Sequence, residues 1–245
     1  MRMRYITAGI AFVVATAAPG LVVPLAGGAP TGSMIQAAAG NELRFTFDNG
    51  ESLRAGTVVR DVSGHRNRGR VVVAPRGRIA PDRGIVKRGA DYPAKGRAII
   101  ESRDRRSLDP RRKSFRFGAA IKVTSRQARA ESNIIQKGFF FQPGGQWKLQ
   151  LDGNGSPSCV VNGSRGRVIT HSLVSVADGR WHRLECRRTP GAVSVWVDGK
   201  RRGRVLGSTG VVANDAPVRV GGSKIARGND QFRGDLDSVF FDVNR

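Results

Sequence analysis

The sequence has few of the residues that structural metal sites and membrane spans require. Its 245 residues include only two cysteines, Cys159 and Cys186, and two such positions do not suggest a four-ligand zinc site. A membrane helix needs about 20 consecutive apolar residues. The N-terminal apolar stretch is too short for this, because Pro19 and Gly20 interrupt it. These absences argue against a zinc site and against a transmembrane helix.

The N-terminus has the layout of a secretory signal. A basic start precedes the apolar run Ile6–Ala18, and alanines at 37–39 offer a small-residue cleavage site. We therefore expect residues 1–39 to be a signal peptide and residues 40–245 to form a secreted domain without a membrane span. An uncleaved N-terminal anchor is the alternative.

The two cysteines have a simple interpretation if the chain is exported. Cys159 and Cys186 would then form a disulfide that closes a loop of 186 − 159 = 27 positions. The chain-entropy model gives such a loop about 3.5 kcal/mol of stabilisation. Two buried free thiols are the alternative.

The net charge is strongly positive. The formal charge is +23, and because Arg2 and Arg4 contribute +2 with no acid before residue 40, residues 40–245 carry +21. Such a charge favours anionic partners. However, 42 − 8 = 34 of the basic residues are arginines. A GC-rich genome that fills solvated strand faces with arginine is the alternative explanation. Basic residues alternate with aromatics only at Phe115–Phe117, so we expect no specific nucleic-acid partner.

Short alternating segments dominate the rest of the chain. Apolar and polar residues alternate in Ser114–Val123, in Gln146–Leu151 and through Ala177–Lys200, where an Asp-Gly turn ends the second run. This period of two is typical of half-buried antiparallel strands. With 32 glycines, 11 prolines and no internal repeat, the sequence predicts one all-β domain.

Seven short segments carry a resemblance to a known family. They are Phe45–Asp48, Asp61–Gly64, Ile134–Gly138, Gln146–Leu149, Asp178–His182, Val197–Gly199 and Phe232–Asp237. Their residue types and order resemble a laminin G-like domain of the concanavalin A-like lectin and glucanase superfamily. The resemblance implies an antiparallel β-sandwich of two sheets, a jelly roll.

The resemblance offers little support for catalysis. Glycan hydrolases of the superfamily carry a Glu-x-Asp-x-x-Glu strand, since retaining hydrolysis needs two carboxylates about 5 Å apart. None of the five glutamates begins this pattern. Polysaccharide lyases of similar shape use tyrosine and histidine. The one tyrosine of residues 40–245 is Tyr92, and His182 belongs to a structural motif of the family. We expect no enzymatic activity; an atypical glycan hydrolase or lyase is the enzyme alternative.

The resemblance also implies a calcium site at a sheet edge. The matching positions are Asp48, Asp61 and Asp237, with Asp235 close by. Calcium takes six to eight oxygen ligands, which carboxylates and loop carbonyls supply. In the alternative interpretation, these aspartates cap turns or pair with arginines.

Aromatic residues are the candidates for ligand contact. Trp196 has the opposite parity to the aliphatic residues of its strand, and Phe139, Phe140 and Phe141 cannot all face one side of a strand. Arg116, between two phenylalanines, is the basic candidate. Packing under a loop is the alternative for each aromatic residue.

The predicted function is that of a secreted, monomeric, non-catalytic binding module. Its expected ligand is extracellular polysaccharide, and the positive charge favours acidic or cell-wall polymers. A protein-binding or adhesion module that recognises a cell-surface protein is the alternative, since fold alone does not decide function.

Overall fold

The structure is a computed structural model that describes residues 40–244. The predicted signal peptide, residues 1–39, lies outside the described residues and stays a prediction. Within the described part, no helix is long and apolar enough to cross a membrane.

Sixteen strands and one short 3₁₀ helix, Arg106–Leu108, make up the regular structure of residues 40–244. In chain order the strands are β1 (Leu43–Phe45), β2 (Val58–Val59), β3 (Gly69–Val73), β4 (Ala80–Arg83), β5 (Arg88–Tyr92), β6 (Ala98–Ser102), β7 (Phe115–Thr124), β8 (Ser132–Lys137), β9 (Gln146–Leu151), β10 (Pro157–Gly163), β11 (Gly166–His171), β12 (Asp178–Thr189), β13 (Ala192–Val197), β14 (Lys200–Leu206), β15 (Val218–Val220) and β16 (Gly234–Val243).

The strands form two antiparallel sheets. The first sheet has the order β14-β13-β12-β7-β16-β5-β4, with β1 also paired to β16. The second has the order β11-β10-β9-β8-β15-β6-β3-β2. This confirms the predicted all-β sandwich.

The core lies between the sheets and follows the predicted alternation. On β7 the inward residues are Phe115, Phe117, Ala119, Ile121 and Val123, and on β9 they are Trp147, Leu149 and Leu151. The Trp147 ring lies 4.7 Å from the Phe241 ring and 4.8 Å from the Phe117 ring, so one buried indole joins both sheets.

A disulfide between Cys159 and Cys186 crosses the sandwich, as predicted. Cys159 lies on β10 of the second sheet and Cys186 on β12 of the first, with their Cα atoms 5.8 Å apart. Both residues are fully buried. Free thiols are therefore ruled out for these positions.

A buried ion cluster holds the end of β8. The ammonium of Lys137 is fully buried and lies 2.9 Å from a carboxylate oxygen of Asp104 and 2.8 Å from one of Asp109. It also donates to the backbone oxygen of Asn214. Because Asp104 precedes the 3₁₀ helix and Asp109 follows it, this cluster fixes both flanks of the helix against β8.

Candidate functional site

Each sheet has one face on the core and one toward solvent, and polar and aromatic side chains concentrate on both outer faces. We name the depression on the second sheet the amide groove; the residues that define it are Glu131, Asn133, Gln136, Phe139, Phe140, Gln146, Lys148, Gln150, Asp152, Val160, Ile169, His171, Ser223, Lys224, Gly228 and Asp230. We name the depression on the first sheet the arginine pocket; the residues that define it are Arg44, Thr46, Arg116, Ala119, Ala120, Arg183, Leu184, Glu185, Trp196, Gly199, Ser238 and Phe240.

The strand register builds the amide groove. Antiparallel pairing places outward side chains of neighbouring strands side by side. One such row runs Gln136, Lys148, Val160, Ile169, and the next runs Asn133, Gln150, Ser158, His171. The outward positions of β9, Gln146, Lys148 and Gln150, alternate with its core residues, so one strand supplies three of the polar groups.

Three amide oxygens of the groove have no hydrogen-bond partner among the described residues. The amide nitrogens are used internally: Asn133 donates to Gln136 at 2.8 Å, Gln150 donates to Asp152 at 3.0 Å, and Gln146 donates to a backbone carbonyl at 3.2 Å. This leaves Oδ1 of Asn133 and Oε1 of Gln146 and Gln150 unpaired. These residues are only 1%, 4% and 7% exposed. Buried acceptors without a donor are costly. The three oxygens are almost closed to solvent, so these amides must turn toward the groove before they can accept a hydrogen bond from a ligand.

Lys148 places a positive charge in the middle of this row of acceptors. Its side chain is half-buried, and burial lowers the pKa of its ammonium, although the nearby carboxylates of Asp230, Glu131 and Asp152 oppose the shift. Within the described residues the ammonium makes no hydrogen bond and no ion pair. Lys148 is therefore a desolvated donor that a ligand could engage directly.

A carboxylate is fixed at one end of the groove. Asp152 accepts hydrogen bonds from Gln150 at 3.0 Å, from Ser158 at 2.8 Å and from Nδ1 of His171 at 2.9 Å. Burial acts to raise the pKa of Asp152, but these hydrogen bonds outweigh it and the pKa is lowered. The end of the groove therefore carries a permanent negative charge.

Two of the three predicted phenylalanines line the groove. Phe139 and Phe140 are 38% and 40% exposed, whereas Phe141 is 87% exposed and lies outside the groove. Arginines cover the two rings: the guanidinium of Arg219 lies 5.3 Å from the Phe139 ring centre and that of Arg167 lies 3.2 Å from the Phe140 ring centre. The three phenylalanines follow β8 in a turn and do not lie on a strand, and all three are exposed, Phe141 the most.

The other predicted aromatic residue, Trp196, lies on the opposite side of the sandwich. In the first sheet, Phe240 pairs with Gly118, Gly118 with Glu185, and Glu185 with Trp196. The two aromatic side chains thus stand on one row, three strand spacings or about 14 Å apart. Gly118 leaves room between them, because a Cβ there would lie 2.9 Å from the Phe240 ring.

Two arginines hold the Phe240 end of the arginine pocket. Arg44 and Arg116 each lie 3.0 Å from a carboxylate oxygen of Asp242, and their guanidiniums lie 5.3 and 5.7 Å from the Phe240 ring centre. Burial raises the pKa of Asp242, although both arginines act to lower it. The predicted contact residue Arg116 therefore does line a depression, together with Trp196.

The Trp196 end is built in the same way. The guanidinium of Arg187 lies 3.9 Å from the Trp196 ring centre and also hydrogen-bonds the carboxylate of Glu185 on its own strand. Arg183, on the same outer face of β12, is exposed and its side chain has no partner within residues 40–244. The pocket thus contains paired acids and an unpaired arginine.

The four predicted calcium ligands do not form one donor set. Asp61 accepts four hydrogen bonds from its own turn and from β1, and Asp235 lies 2.9 Å from the ammonium of Lys122. Asp48 and Asp237 are close enough to repel each other, but each accepts a backbone N–H at 3.1 Å. Among residues 40–244 no group of three or more acidic, histidine or cysteine side chains is arranged to hold a metal. Calcium binding stays a prediction from resemblance.

The residues considered for lyase chemistry are placed apart. Tyr92 is 1% exposed in the core, its hydroxyl donates to the Val220 carbonyl, and burial raises its pKa far above the usual value. His182 lies between Asp178 and Asp198, with ring nitrogens 3.1 and 2.7 Å from their oxygens. Neither residue lines the amide groove or the arginine pocket, so no tyrosine–histidine pair faces a ligand there.

Comparison with known proteins now identifies the family. The family model described as "Concanavalin A-like lectin/glucanases superfamily", of the laminin G type, matches residues 106–241. The chain belongs to this superfamily. A comparison with curated proteins found no significant match.

Solved structures of similar fold include two toxin binding domains and one domain of an arabinanase. The binding domain of Paraclostridial Mosquitocidal Protein 1 is 13% identical with a TM-score of 0.62, over 84% of this chain and 49% of that one. Domain 4 of AbnA, an extracellular arabinanase from Geobacillus stearothermophilus, in complex with arabinotriose, is 18% identical with a TM-score of 0.60, over 84% and 93%. The binding domain of botulinum neurotoxin DC with rat synaptotagmin II is 9% identical with a TM-score of 0.59, over 83% and 48%. The chain spans about half the length of the two toxin domains.

Sequence reasoning missed the amide groove itself. Its signal is the spacing Gln146, Lys148 and Gln150, opposite in parity to the apolar residues of β9. A solvated strand face usually carries charged residues, whereas two glutamines beside a lysine favour hydrogen bonding to a ligand. Phe240 was missed as well, because its parity depends on an irregularity in β16.

Proposed function

We propose that the domain is a non-catalytic binding module that holds carbohydrate in the amide groove. The observation that carries this proposal is the set of three unpaired, buried amide oxygens around the unpaired ammonium of Lys148. Sugar hydroxyls both donate and accept. Because Gln146 and Gln150 are four residues apart on β9, or about 13 Å, successive rings of an oligosaccharide lying along the strand would be needed to satisfy the amide oxygens and the ammonium. Phe139 and Phe140 add apolar surface for the ring faces.

The size of the groove fits a small oligosaccharide. Its volume is about 570 Å³, within the range of about 300–1,000 Å³ for ligand sites. Polar groups at one end and aromatic rings at the other are the combination that such sites use for orientation and affinity.

The charge of the groove favours neutral sugars over the acidic polymers predicted from the net charge. Its lining contains three carboxylates, Glu131, Asp152 and Asp230, and two ammonium groups, Lys148 and Lys224. The guanidinium of Arg167 over the Phe140 ring brings the charges into balance, while that of Arg219 is already paired with Glu101. The groove therefore has no net positive charge to attract an acidic polymer. The carboxylate of an acidic sugar would be repelled by the carboxylates of the groove and could not donate to the unpaired amide oxygens. A neutral sugar is not repelled, and its hydroxyl groups can donate hydrogen bonds to these oxygens.

The comparisons support a binding role in general terms. One structure of this fold, the arabinanase domain, carries arabinotriose, and nearly all of that domain is covered by this chain. At 18% identity this likeness supports the fold and not the sugar. Secretion of the domain, its monomeric state and calcium binding belong to the same proposal.

A protein receptor is the second candidate. The observation that favours it is exposed apolar surface: Leu173 is 95% and Phe141 is 87% exposed. A toxin binding domain of the same fold was solved with synaptotagmin II, a protein. A substitution of Leu173 that abolishes attachment to glycan-free cell surfaces would favour this candidate.

The test is calorimetric titration with neutral arabino-, xylo- and cello-oligosaccharides against wild type, Lys148→Met and the matched control Lys113→Met. Lys113 is exposed on a turn and lies outside the groove. Loss of hydrogen bonds from a charged donor costs about 1.5–3 kcal/mol, so Lys148→Met should weaken binding by at least about tenfold. Lys113→Met should bind as wild type.

The melting temperature of the variant shows whether a loss of binding results from unfolding. Because Lys148 is desolvated without a partner, replacing it with methionine should leave the melting temperature unchanged or raise it. A variant that binds sugar as tightly as wild type would refute the role of Lys148. Absence of binding to every neutral oligosaccharide at millimolar concentration would refute the function.

A further inference from the structure

We propose that the arginine pocket is a second binding site, on the face opposite the amide groove, for the carboxylate of an acidic sugar. Its chemistry differs from that of the groove: the groove combines unpaired acceptors with one ammonium, Lys148, whereas the pocket presents unpaired guanidinium donors. The two sites would therefore take different ligands.

The unpaired donors come from three arginines that line the pocket. Arg44 uses Nε for Asn41 and Nη2 for Asp242, which leaves Nη1. Arg116 uses Nη2 for Asp242, and its Nη1 lies 3.9 Å from Glu185, too far for a hydrogen bond. Guanidinium groups have five donors in a fixed fork that matches a carboxylate.

Arg183 supplies the third guanidinium. It lies on β12 beside Ala120 of β7, a small residue that leaves the floor of the pocket open. Its backbone N–H is held by Asp198 at 2.8 Å, so the strand position is fixed although the side chain has no partner in the described residues. The guanidinium of Arg183 is thus free to bind a ligand without breaking an ion pair.

The acids of the pocket are already neutralised. Asp242 is shared between Arg44 and Arg116, and Glu185 is held by Arg187. Two carboxylates among these arginines and Arg183 leave a positive excess of two charges. An additional carboxylate would therefore meet net attraction, whereas a neutral sugar would have no counterpart for the excess charge.

The aromatic side chains select a ring over a simple anion. Phe240 and Trp196 stand at the two ends of one row, and each carries a guanidinium over its ring, which holds the side chain in place. The pocket between them has a volume of about 350 Å³. A flat apolar face next to a carboxylate is the surface that a uronate residue presents, and acetate or an acidic peptide lacks it.

The test compares four probes: tetragalacturonate, its methyl ester, poly-L-glutamate and heparin. The variants are Arg183→Gln, Trp196→Ala and the matched control Arg126→Gln, which removes one arginine, also exposed, from a turn. We expect tetragalacturonate to bind wild type, the ester to bind at least about tenfold more weakly, and Arg183→Gln and Trp196→Ala to lose about tenfold each. Arg126→Gln and the groove variant Lys148→Met should bind tetragalacturonate as wild type.

Four outcomes would overturn the proposal. Equal losses in Arg183→Gln and Arg126→Gln, or heparin binding that no pocket variant weakens, would mean attraction to the net charge alone. If poly-L-glutamate binds as tightly as tetragalacturonate, the pocket does not recognise a sugar ring and the proposal is wrong. Loss of tetragalacturonate binding in Lys148→Met would place the acidic sugar in the groove. Failure of neutral sugars to bind would bear only on the groove.

Discussion

Removal of the disulfide tests how the sandwich holds its two outer faces together. The double substitution Cys159→Ala with Cys186→Ala cuts the covalent link between β10 and β12. The closed loop has a sequence separation of 27, for which the chain-entropy model gives about 3.5 kcal/mol. In a domain of this size, 1 kcal/mol corresponds to about 2–4 °C, so the melting temperature should fall by about 7–14 °C.

The assay is urea and thermal unfolding of wild type, the double variant, and wild type unfolded and refolded with a reductant. Both sulfur positions are fully buried, so the reductant should act on the folded protein only after opening. The reduced wild type should then match the double variant. A loss below about 1 kcal/mol would refute the loop argument. Binding at 25 °C should persist, because the ligand-facing side chains of both depressions lie on the outer faces.

Three further substitutions test packing and charge. Lys137→Met leaves the Asp109 carboxylate, 2.8 Å from the ammonium, buried without its cation, so urea unfolding should show a loss of about 3–5 kcal/mol; an unchanged midpoint would contradict this. Burial lowers the pKa of His182, but the hydrogen bonds and negative charges of Asp198 and Asp178 together outweigh it and the pKa is raised above 6.5. The melting temperature of wild type should therefore exceed that of His182→Gln below pH 6.5, and the difference should vanish as the pH rises through the folded-state pKa; a difference that grows with pH would contradict this. Gly118→Ala places a methyl group against the backbone of the neighbouring strand, so it should cost about 1–3 kcal/mol and narrow the arginine pocket; wild-type stability would contradict this.

The sequence predicts the positions of the strands better than it predicts which strands pair with each other. The alternation in β7 and β9 identifies their core residues correctly, because side chains on a strand point to opposite faces with a period of two. The same alternation is silent on which sheet a strand joins. Trp196 and Arg116 both line the depression on the first sheet, and Phe139 and Phe140 line the one on the second. This division depends on the pairing of distant strands.

The place of Phe240 shows why one wall of the pocket could not be predicted. On β16, Leu236 and Val239 both face the core although they are three residues apart. A register shift between Asp237 and Phe240, with Ser238 at φ 52°, reverses the parity of the strand. Such an irregularity turns the side chains that follow it to the other face, so Phe240 lies outside and Phe241 inside.

The sequence offers two explanations for the many arginines, an anionic partner or solvated strand faces. The structure shows a third role for at least one of them. Arg188 is 2% exposed and donates to the carbonyls of Arg112, Lys113 and Gly210 and to Thr209, so its guanidinium joins three chain segments. A lysine has no fork of donors to do this. Net charge is therefore a poor measure of anion affinity here, and the dependence on salt gives the distinction. General attraction to the surface should fall steeply with ionic strength for every polyanion, whereas a carboxylate bound in a half-buried pocket should lose less.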